Sequence, residues 1–595
     1  METRESKRVD GESRQADSAS GQGRLLLLND RVGLLALLGL GLAGLVIGWH
    51  LFWFLTDDAY IAFRYVENSI HGFGYVWNPP PFRPVEGYTS FLWAALLEAV
   101  WRITGVEPPQ SVNWLSLFFT ALTLAISAEM AYRMARPFPT RWARLGPAGL
   151  MLLYLILNRS FLTWASSGLE TALFGFLLIL WVFLLNFGRR TPLRSATLSG
   201  VATLAALTRP DGLVFWAVTL AELVLEWLER ERHDRFSWRA VGTLAAVCSP
   251  LAVVLLHFWW RHSFYGEWLP NTYYAKVVGA WPFSGALYAY SFLVEFCLWP
   301  ILALVAVAVL QVTREWIGRR NLAPRSEGAA SLLSGELLRG LPILATLTAL
   351  SLHFVYFTLI VGGDHFEYRT YNHLFALAFL SLIWGMRSLG FRPRAMLVVG
   401  LLCVLLSLPV PWTHWFLTKD LNTRSQTHKM RVAVSPAWPT YLRWYTSRFD
   451  VAQRWLIFRL VCCRHQEHKV FAKFRAGELP SREQGRKMDP AGFPVFVTGS
   501  VGMAGWVMPN ACIIDALALT DYVAARTPLP EGKPRRMAHD RFAPPAYLKE
   551  FRANVTFDAS VLHVVERKPP LTARDIMDIE TKWREWVKAK AAAVE

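Results

Sequence analysis

Long apolar runs set the first reading of this chain. The run 32–55 is followed by others near 111–134, 146–159, 171–187, 195–208, 212–228, 240–260, 287–311, 337–361, 372–388 and 394–411. A run of about 18 or more mostly apolar residues reads as a helix crossing a hydrocarbon core about 30 Å thick. Eleven spans are therefore expected, several of them short for that thickness, which leaves their ends loosely defined. The run 89–105 is apolar but holds Glu98 and Arg102; it reads as a helix lying at the interface, with a further span as the alternative. Beyond residue 411 the pattern changes. Helical patterns cover 438–476 and 571–592, and short β-branched runs at 494–498, 511–515 and 561–565 read as buried strands. The expected organisation is a polar tail at 1–31, a helical membrane domain at 32–411 with its first outer loop at 56–110, and a small α/β domain at 412–595. No repeat of 20–50 residues stands out.

Composition agrees with the pattern. Hydrophobic residues make up 53% and charged residues 18% of the 595, with 27 Trp. That excludes a soluble enzyme, a disordered chain and a β-barrel, whose strands would alternate over short segments. Six Cys exclude a disulfide scaffold and a cysteine-rich metal domain. Cys462, Cys463 and Cys512 are the three in the tail, and one of the adjacent pair bridging to Cys512 is an expectation for an oxidising compartment. The net charge of +17 has to be sorted by side of the membrane before it is read as affinity for nucleic acid. With the N-terminus inside, the cytoplasmic segments hold 24 Lys or Arg and the outer inter-span loops hold 8. This bias orients the chain, and an odd number of spans then puts 412–595 on the periplasmic side of a bacterial inner membrane. The first 31 residues are too long and too charged for a cleavable signal. The tail carries +11 of the charge, which suits an acidic or glycan acceptor or anionic headgroups equally.

The polar residues that solubility does not require crowd the outer loops. The first begins Thr56-Asp57-Asp58-Ala59-Tyr60 and continues through Arg64, Tyr65, Tyr75, Trp77, Asn78, Glu86 and Tyr88. Two adjacent carboxylates at the mouth of a span repel each other, so a task that holds them there is expected; the plainer reading is that Thr56 or Asp57 caps a helix starting at Ala59. Glu170, Arg209 with Asp211, Asn271 with Tyr273, Tyr274 and Lys276, and Asp364 with His365 and Arg369 fall in later outer loops. Each has a plain alternative: a turn salt bridge for Arg209 and Asp211, a snorkelling Lys276, an Asp364–Arg369 pair, an aromatic belt for the tyrosines. Together they form a mixed-charge ring at one membrane surface. An outer face has no nucleotide-activated substrates, so a transferase there needs a membrane-borne donor with a phosphate leaving group. Arg64, Arg209, Lys276 and Arg369 are candidate phosphate ligands, and Asp57 or Asp58 is the candidate base for an incoming hydroxyl. The carboxylate pair would also suit a divalent cation, though no cofactor is required and no metal site is assigned. The run Gly499-Ser-Val-Gly-Met-Ala-Gly505 lacks the spacing of a dinucleotide loop.

Asp57-Asp58-Ala59-Tyr60-Ile61, Gly72-Phe-Gly-Tyr-Val-Trp-Asn78 and Val85-Glu-Gly-Tyr-Thr-Ser90 resemble one branch of the GT-C membrane glycosyltransferases. That branch comprises polyprenyl-phosphate-dependent arabinofuranosyltransferases acting on mycobacterial cell-wall arabinan and Pseudomonas type IV pilin. The resemblance continues at 167–171, 208–212, 269–276 and 362–366, and in the tail at 499–502, 514–521 and 538–540. It implies the GT-C fold with a catalytic carboxylate in the first outer loop. The donor would be a polyprenyl-phosphate pentose such as arabinofuranose, and the acceptor a pilin or an envelope glycan. It implies Asp57 as base with Asp58 orienting the site. It also marks Tyr60, Asn78, Glu86, Tyr88, Glu170, Asp211, Asn271, Tyr273, Asp364, His365, Asp515, Asp521 and His539 as substrate-binding. The rival class is a transporter or flippase for a lipid-linked sugar, which would place polar groups near mid-membrane and open to both sides.

Overall fold

The computed structural model describes residues 29–231, 238–322, 328–530, 532–558 and 560–592. The chain is a polytopic, mostly helical membrane protein. α1 (Asn29–Leu51) crosses first. α2 (Asp57–Ile70) and α3 (Phe91–Thr104) occupy the first loop, and α4 (Pro108–Ala135) returns. α5 (Arg141–Leu157), the short α6 (Arg159–Thr163), α7 (Thr171–Phe187), α8 (Pro192–Thr208) and α9 (Leu213–Glu231) follow as a tight bundle. α10 (Trp238–Cys248) and α11 (Ala252–Tyr265) are joined by a 3-10 turn at Ser249–Leu251. They are followed by α12 (Asn271–Lys276), α13 (Pro282–Glu295), α14 (Trp299–Leu322) and α15 (Gly328–Val355). α15 ends in a π-helical turn over Tyr356–Val361. α16 (Asn372–Ser388), α17 (Pro393–Leu406) and α18 (Pro409–Thr418) complete the membrane part. Among the described residues, six helices are long and apolar enough to cross a membrane: Asn29–Leu51, Pro108–Ala135, Trp238–Tyr265, Trp299–Gly318, Gly340–Val361 and Pro393–Thr418.

One expected span is wrong in its course. The run 287–311 is not a single helix, because the chain breaks between Glu295 and Trp299, with Cys297 at a φ of +49°. Apolar character continues across the break, so hydropathy alone could not show it. Pro300 falls in the first turn of α14, where its missing N–H costs nothing. α13 instead packs beside the π-helical turn: Ser284 donates to the Gly362 carbonyl at its end, 2.7 Å away.

The tail begins with α19 (Arg424–Lys429), α20 (Arg443–Ile457), α21 (His465–Glu478) and α22 (Arg482–Arg486). The helical pattern expected over 438–476 is thus two helices, separated by a turn with Leu460 and Cys462 at positive φ. β1 (Val495–Thr498) pairs in parallel with β2 (Cys512–Asp515) around the crossover helix α23 (Val501–Val507). α24 (Pro545–Glu550) precedes β3 (Val555–Asp558), which pairs antiparallel with β4 (Val561–Val564), and α25 (Ala573–Ala592) ends the description. β3 was not foreseen; its Asp558 and Thr556 dilute the apolar signal. All six cysteines are free, so the expected bridge to Cys512 is not formed. Cys512 lies on β2, while Cys462 and Cys463 accompany the 364–366 segment, each donating its N–H to a carbonyl there at 2.8 Å.

Two buried devices hold the tail to the bundle. The first is a cluster of four charges. Arg159 pairs with Glu367, and Arg464 pairs with Glu295 and reaches Glu367 at 3.4 Å. All four side chains are essentially inaccessible, so removing any one would strand its partner in a dry interior. The second is helix α23. Its N-terminal amides at Gly502 and Met503 donate to the Asp57 carboxylate at 3.3 and 2.8 Å. The carbonyls of Gly505, Met508 and Ala511, at and beyond its C-terminus, accept from the Arg64 guanidinium at 2.6, 3.2 and 2.7 Å. Asp57 and Arg64 are seven residues apart on α2, about 10.5 Å at 1.5 Å per residue, which is the length of a seven-residue helix. An acid therefore meets the positive end of the α23 dipole and a base its negative end. The contact is close: a Cβ on Gly502 would lie 1.8 Å from the Asp57 carbonyl oxygen.

Candidate active site

Asp57 and Asp58 open α2, and neither they nor Thr56 cap it through a side chain. The capping expected at Ala59 is therefore replaced by a bond between Asp57 and another helix. Burial pushes the Asp57 carboxyl up to about 6, against the pull of the Met503 amide, with the neighbouring Asp58 charge adding to the rise. Asp58 is not engaged by the α23 amides that hold Asp57. Among the described residues its carboxylate makes no hydrogen bond or ion pair, and it lines two cavities at once.

The first cavity, about 1540 Å³, faces the bundle. Tyr356, Phe357, Ile360 and Val361 from the π-helical turn form one wall, and Trp93, Tyr88, Tyr273 and Val277 form another. Its polar lining is Asp58, Glu170, Arg209, Asp211, Lys276, Asp364, His365 and Arg369. Arg209 is held by Glu170 and Asp211, each at 2.9 Å, and Asp211 also receives His353 at 2.8 Å. Arg369 forks onto Asp364 at 2.8 and 3.2 Å and lies over Phe366. Lys276 has no such partner among the described residues. It projects into the cavity space, where surrounding protein lowers its pKa while Asp58 opposes the shift.

The second cavity, about 980 Å³, faces the tail. Arg424, Glu467, His468, Phe471, Ser500, Leu517 and His539 line it together with Thr56, Asp57, Asp58, Lys276 and His365. Asp58, Ile61, Lys276, His365, Leu519 and Ala538 thus form a wall common to both spaces. The His365 Nδ1 lies 2.8 Å from the Leu460 carbonyl and the His539 Nδ1 2.8 Å from that of Met537. A carbonyl only accepts, so both Nδ1 atoms carry the proton. Burial lowers the pKa of all three histidines, His468 to about 4, which leaves them neutral near pH 7. Despite its own burial, His428 and Arg424 hold the Glu467 carboxyl at about 2. No three His, Cys, Asp or Glu among the described residues converge as a metal ion would need.

The remaining expected residues lie elsewhere. Arg64 is spent on five bonds: the three α23 carbonyls, the Trp77 carbonyl at 2.7 Å and Asn78 at 3.1 Å. Asn78 also exchanges two bonds with the Ile513 main chain. Asn271 donates to three carbonyls between Ala518 and Asp521. Asp515 accepts from Leu517 and Thr520, and Asp521 from Ala524 and Tyr547. These are tail contacts and turns. Glu86 pairs with Arg261 at 2.6 Å, yet burial still pushes its carboxyl up to about 7. Tyr60 stands edge-on to Phe63 and near Trp506. Arg424, Glu467, His468, Ser500 and Tyr356 were not foreseen. Three of them sit in stretches read as ordinary helix; the faint signal was His428, His465 and His468 gathered in one part of the tail.

The turn over Ser166–Glu170 is sterically tight. Ser167 and Gly168 both have positive φ, and a Cβ at Gly168 would strike Ala59 at 2.6 Å. The turn is pinned by the Trp93 indole, which donates to the Gly168 carbonyl, and this backs Glu170 onto the first cavity.

Neither a protein-family model nor a curated protein matches the sequence. In overall structure the chain is similar to ArnT from Cupriavidus metallidurans bound to undecaprenyl phosphate, with a TM-score of 0.44 and 12% identity over 81% of this chain and 86% of that one. It is also similar to the Archaeoglobus fulgidus oligosaccharyltransferase tethered with an acceptor peptide containing the NVT sequon. There the TM-score is 0.37 and the identity 10%, over 81% of this chain and 64% of that one.

Proposed function

We propose that the protein is a membrane glycosyltransferase that moves a sugar from a polyprenyl phosphate to a hydroxyl on an envelope acceptor. The observation that carries this reading is the shared wall. Asp58 and Lys276, an acid and a base that make no hydrogen bond or ion pair among the described residues, line both of two cavities of different character. The bundle-side cavity, apolar at the π-helical turn and cationic at Lys276, suits an isoprenoid phosphate. The tail-side cavity, lined by neutral imidazoles and Ser500, suits a polar acceptor. In the reaction Asp58 takes the acceptor O–H proton, the oxygen attacks the anomeric carbon, and the carbon–phosphate oxygen bond breaks. The phosphate leaves on the lipid with one more negative charge, which Lys276 stabilises; Arg369, forked onto Asp364, offers no net charge. Asp58 rather than Asp57 is the base in this scheme, since Asp57 is occupied by α23. Arg209, shared between Glu170 and Asp211, braces the cavity rather than offering net charge to a phosphate.

The finer reading draws on the resemblance of the first loop: a pentose donor, arabinofuranose in particular, a pilin or envelope-glycan acceptor, and an outer, periplasmic face for the reaction. The test is purified protein with a polyprenyl-phosphate pentose, with and without acceptor. Lipid phosphate should appear only when acceptor is present, and Asp58→Asn should abolish its release. Full activity in Asp58→Asn would remove the base, and use of a nucleotide sugar in place of the lipid would remove the donor assignment.

A further inference from the structure

α20 buries one face and exposes another of unusual make-up. Its inner face carries Thr446, Phe449, Gln453 and Leu456, and Tyr445 donates to the Val294 carbonyl of α13 at 2.6 Å. The outward positions Tyr441, Trp444, Arg448, Val451, Trp455 and Phe458 recur at steps of three and four, one stripe along the helix and its flanking turns. Tyr441 is 80% exposed, Trp444 and Val451 are each 66% exposed, and Phe458 is 54% exposed. Guanidinium groups overlie these rings, Arg448 on Trp444 and Arg459 on Trp455 at 5.2 and 4.0 Å. The single acid of the helix, Asp450, points inward and accepts from the Val432 and Ala433 amides. The outer stripe is therefore aromatic, aliphatic and cationic, with no carboxylate.

This surface is continuous with the membrane-facing one. α13, on which α20 packs, exposes Phe283 and Tyr290, and Trp299 is exposed where α14 starts its crossing. Phe283 meets Trp455 edge-on at 5.1 Å. An apolar patch of this extent on a water-facing domain would invite association, whereas aromatic rings backed by arginines are what the headgroup boundary accepts.

We infer that α20 is an interfacial helix that seats the tail on the leaflet nearest it, its stripe sunk to the headgroup–acyl boundary and Arg443, Arg448 and Arg454 on anionic lipid phosphates. The helix leads directly into the 459–464 turn, which contributes Leu460 to the tail-side cavity. Lipid contact at α20 thereby sets the height of that cavity above the membrane.

The test uses full-length protein in nanodiscs with a photoreactive benzoylphenylalanine replacing Trp444, Val451, Leu302 or Arg574. Leu302 faces outward on the membrane-crossing α14 and Arg574 is an exposed residue of α25. Lipid adducts at 444 and 451 should match those at 302 and exceed those at 574 at least tenfold. Replacing phosphatidylglycerol by phosphatidylcholine should lower the yield at 444 severalfold. Yields at 444 and 451 no higher than at 574, or adducts to a second protein in place of lipid, would overturn the assignment. Equal yields in the two lipids would overturn its anionic part.

Discussion

Replacing Arg64 by Met separates the two roles open to this residue. Four backbone carbonyls, those of Trp77, Gly505, Met508 and Ala511, would lose a charged donor in a site from which water is excluded. Trp77 keeps the Asn68 amide and Met508 the Ala511 N–H, so two carbonyls, those of Gly505 and Ala511, are left without this donor, and at about 1–3 kcal/mol each the gross loss is roughly 2–6 kcal/mol. The guanidinium is itself buried, enough to bring its pKa down to about 10, and relieving that burial returns several kcal/mol. The net destabilisation of the α23 contact is then about 2 kcal/mol, or about thirtyfold in a local opening equilibrium at about 1.4 kcal/mol per decade. Hydrogen exchange read by mass spectrometry on peptides spanning 501–511 should show this acceleration, while peptides within α4 and α16 stay unchanged. Arg64→Lys should fall between, because three donors cannot meet four carbonyls. If exchange over 501–511 stays within threefold of the parent while activity falls, Arg64 acts on substrate and the clamp argument is refuted.

Three other outcomes are expected. Gly502→Ala forces the α23 N-terminus off Asp57 by more than 1 Å, a displacement that costs a positioned site about a hundredfold in turnover; transfer assays on protein with normal membrane levels check it. Lys276→Ala removes an unpartnered cation from the donor side and should lower kcat/KM for the lipid donor by about 10–100-fold, in line with a charge-assisted bond of about 1.5–3 kcal/mol. Asp57 gives a pH signature. Its folded carboxyl lies near 6 against the ordinary 3.8, so the folded state binds that proton more tightly. The resulting stability is present below the lower value and is lost as pH rises through the interval between them. Compared with Asp57→Asn, the native protein should gain on the order of 2–3 kcal/mol between pH 7 and pH 4, measured by thermal unfolding in detergent; a flat difference would contradict it.

Hydropathy revealed most of the membrane helices because each is a simple statement about solvent. It missed the break at Cys297, where an apolar surface helix passes into an apolar span with no change in composition. The polar loops announced a site, and Asp58, Lys276, Asp364, His365 and Arg369 do meet at one cavity. What the residue types could not show was which charges are already used. Arg64 and Asp57 look like chemistry, but their partners lie more than 400 residues away, at the two ends of a helix whose glycine-rich sequence resembles a ligand loop. Asn78 and Asn271 are absorbed by main chain of the same distant segment. Conversely, His468 and Arg424 reach the tail-side cavity from helices with an unremarkable polar pattern, and only the tertiary fold brings them to Asp58.

The six residues common to both cavities, Asp58, Ile61, Lys276, His365, Leu519 and Ala538, come from five separate stretches of the chain rather than from one strand or helix. On the proposed reading, the isoprenoid carrier on the bundle side and the polar nucleophile on the tail side meet across these residues. Direct transfer across these residues needs both substrates in place at once. Initial-rate plots should accordingly intersect, as for a ternary complex, and not run parallel as they would if the enzyme itself carried the sugar between two half-reactions.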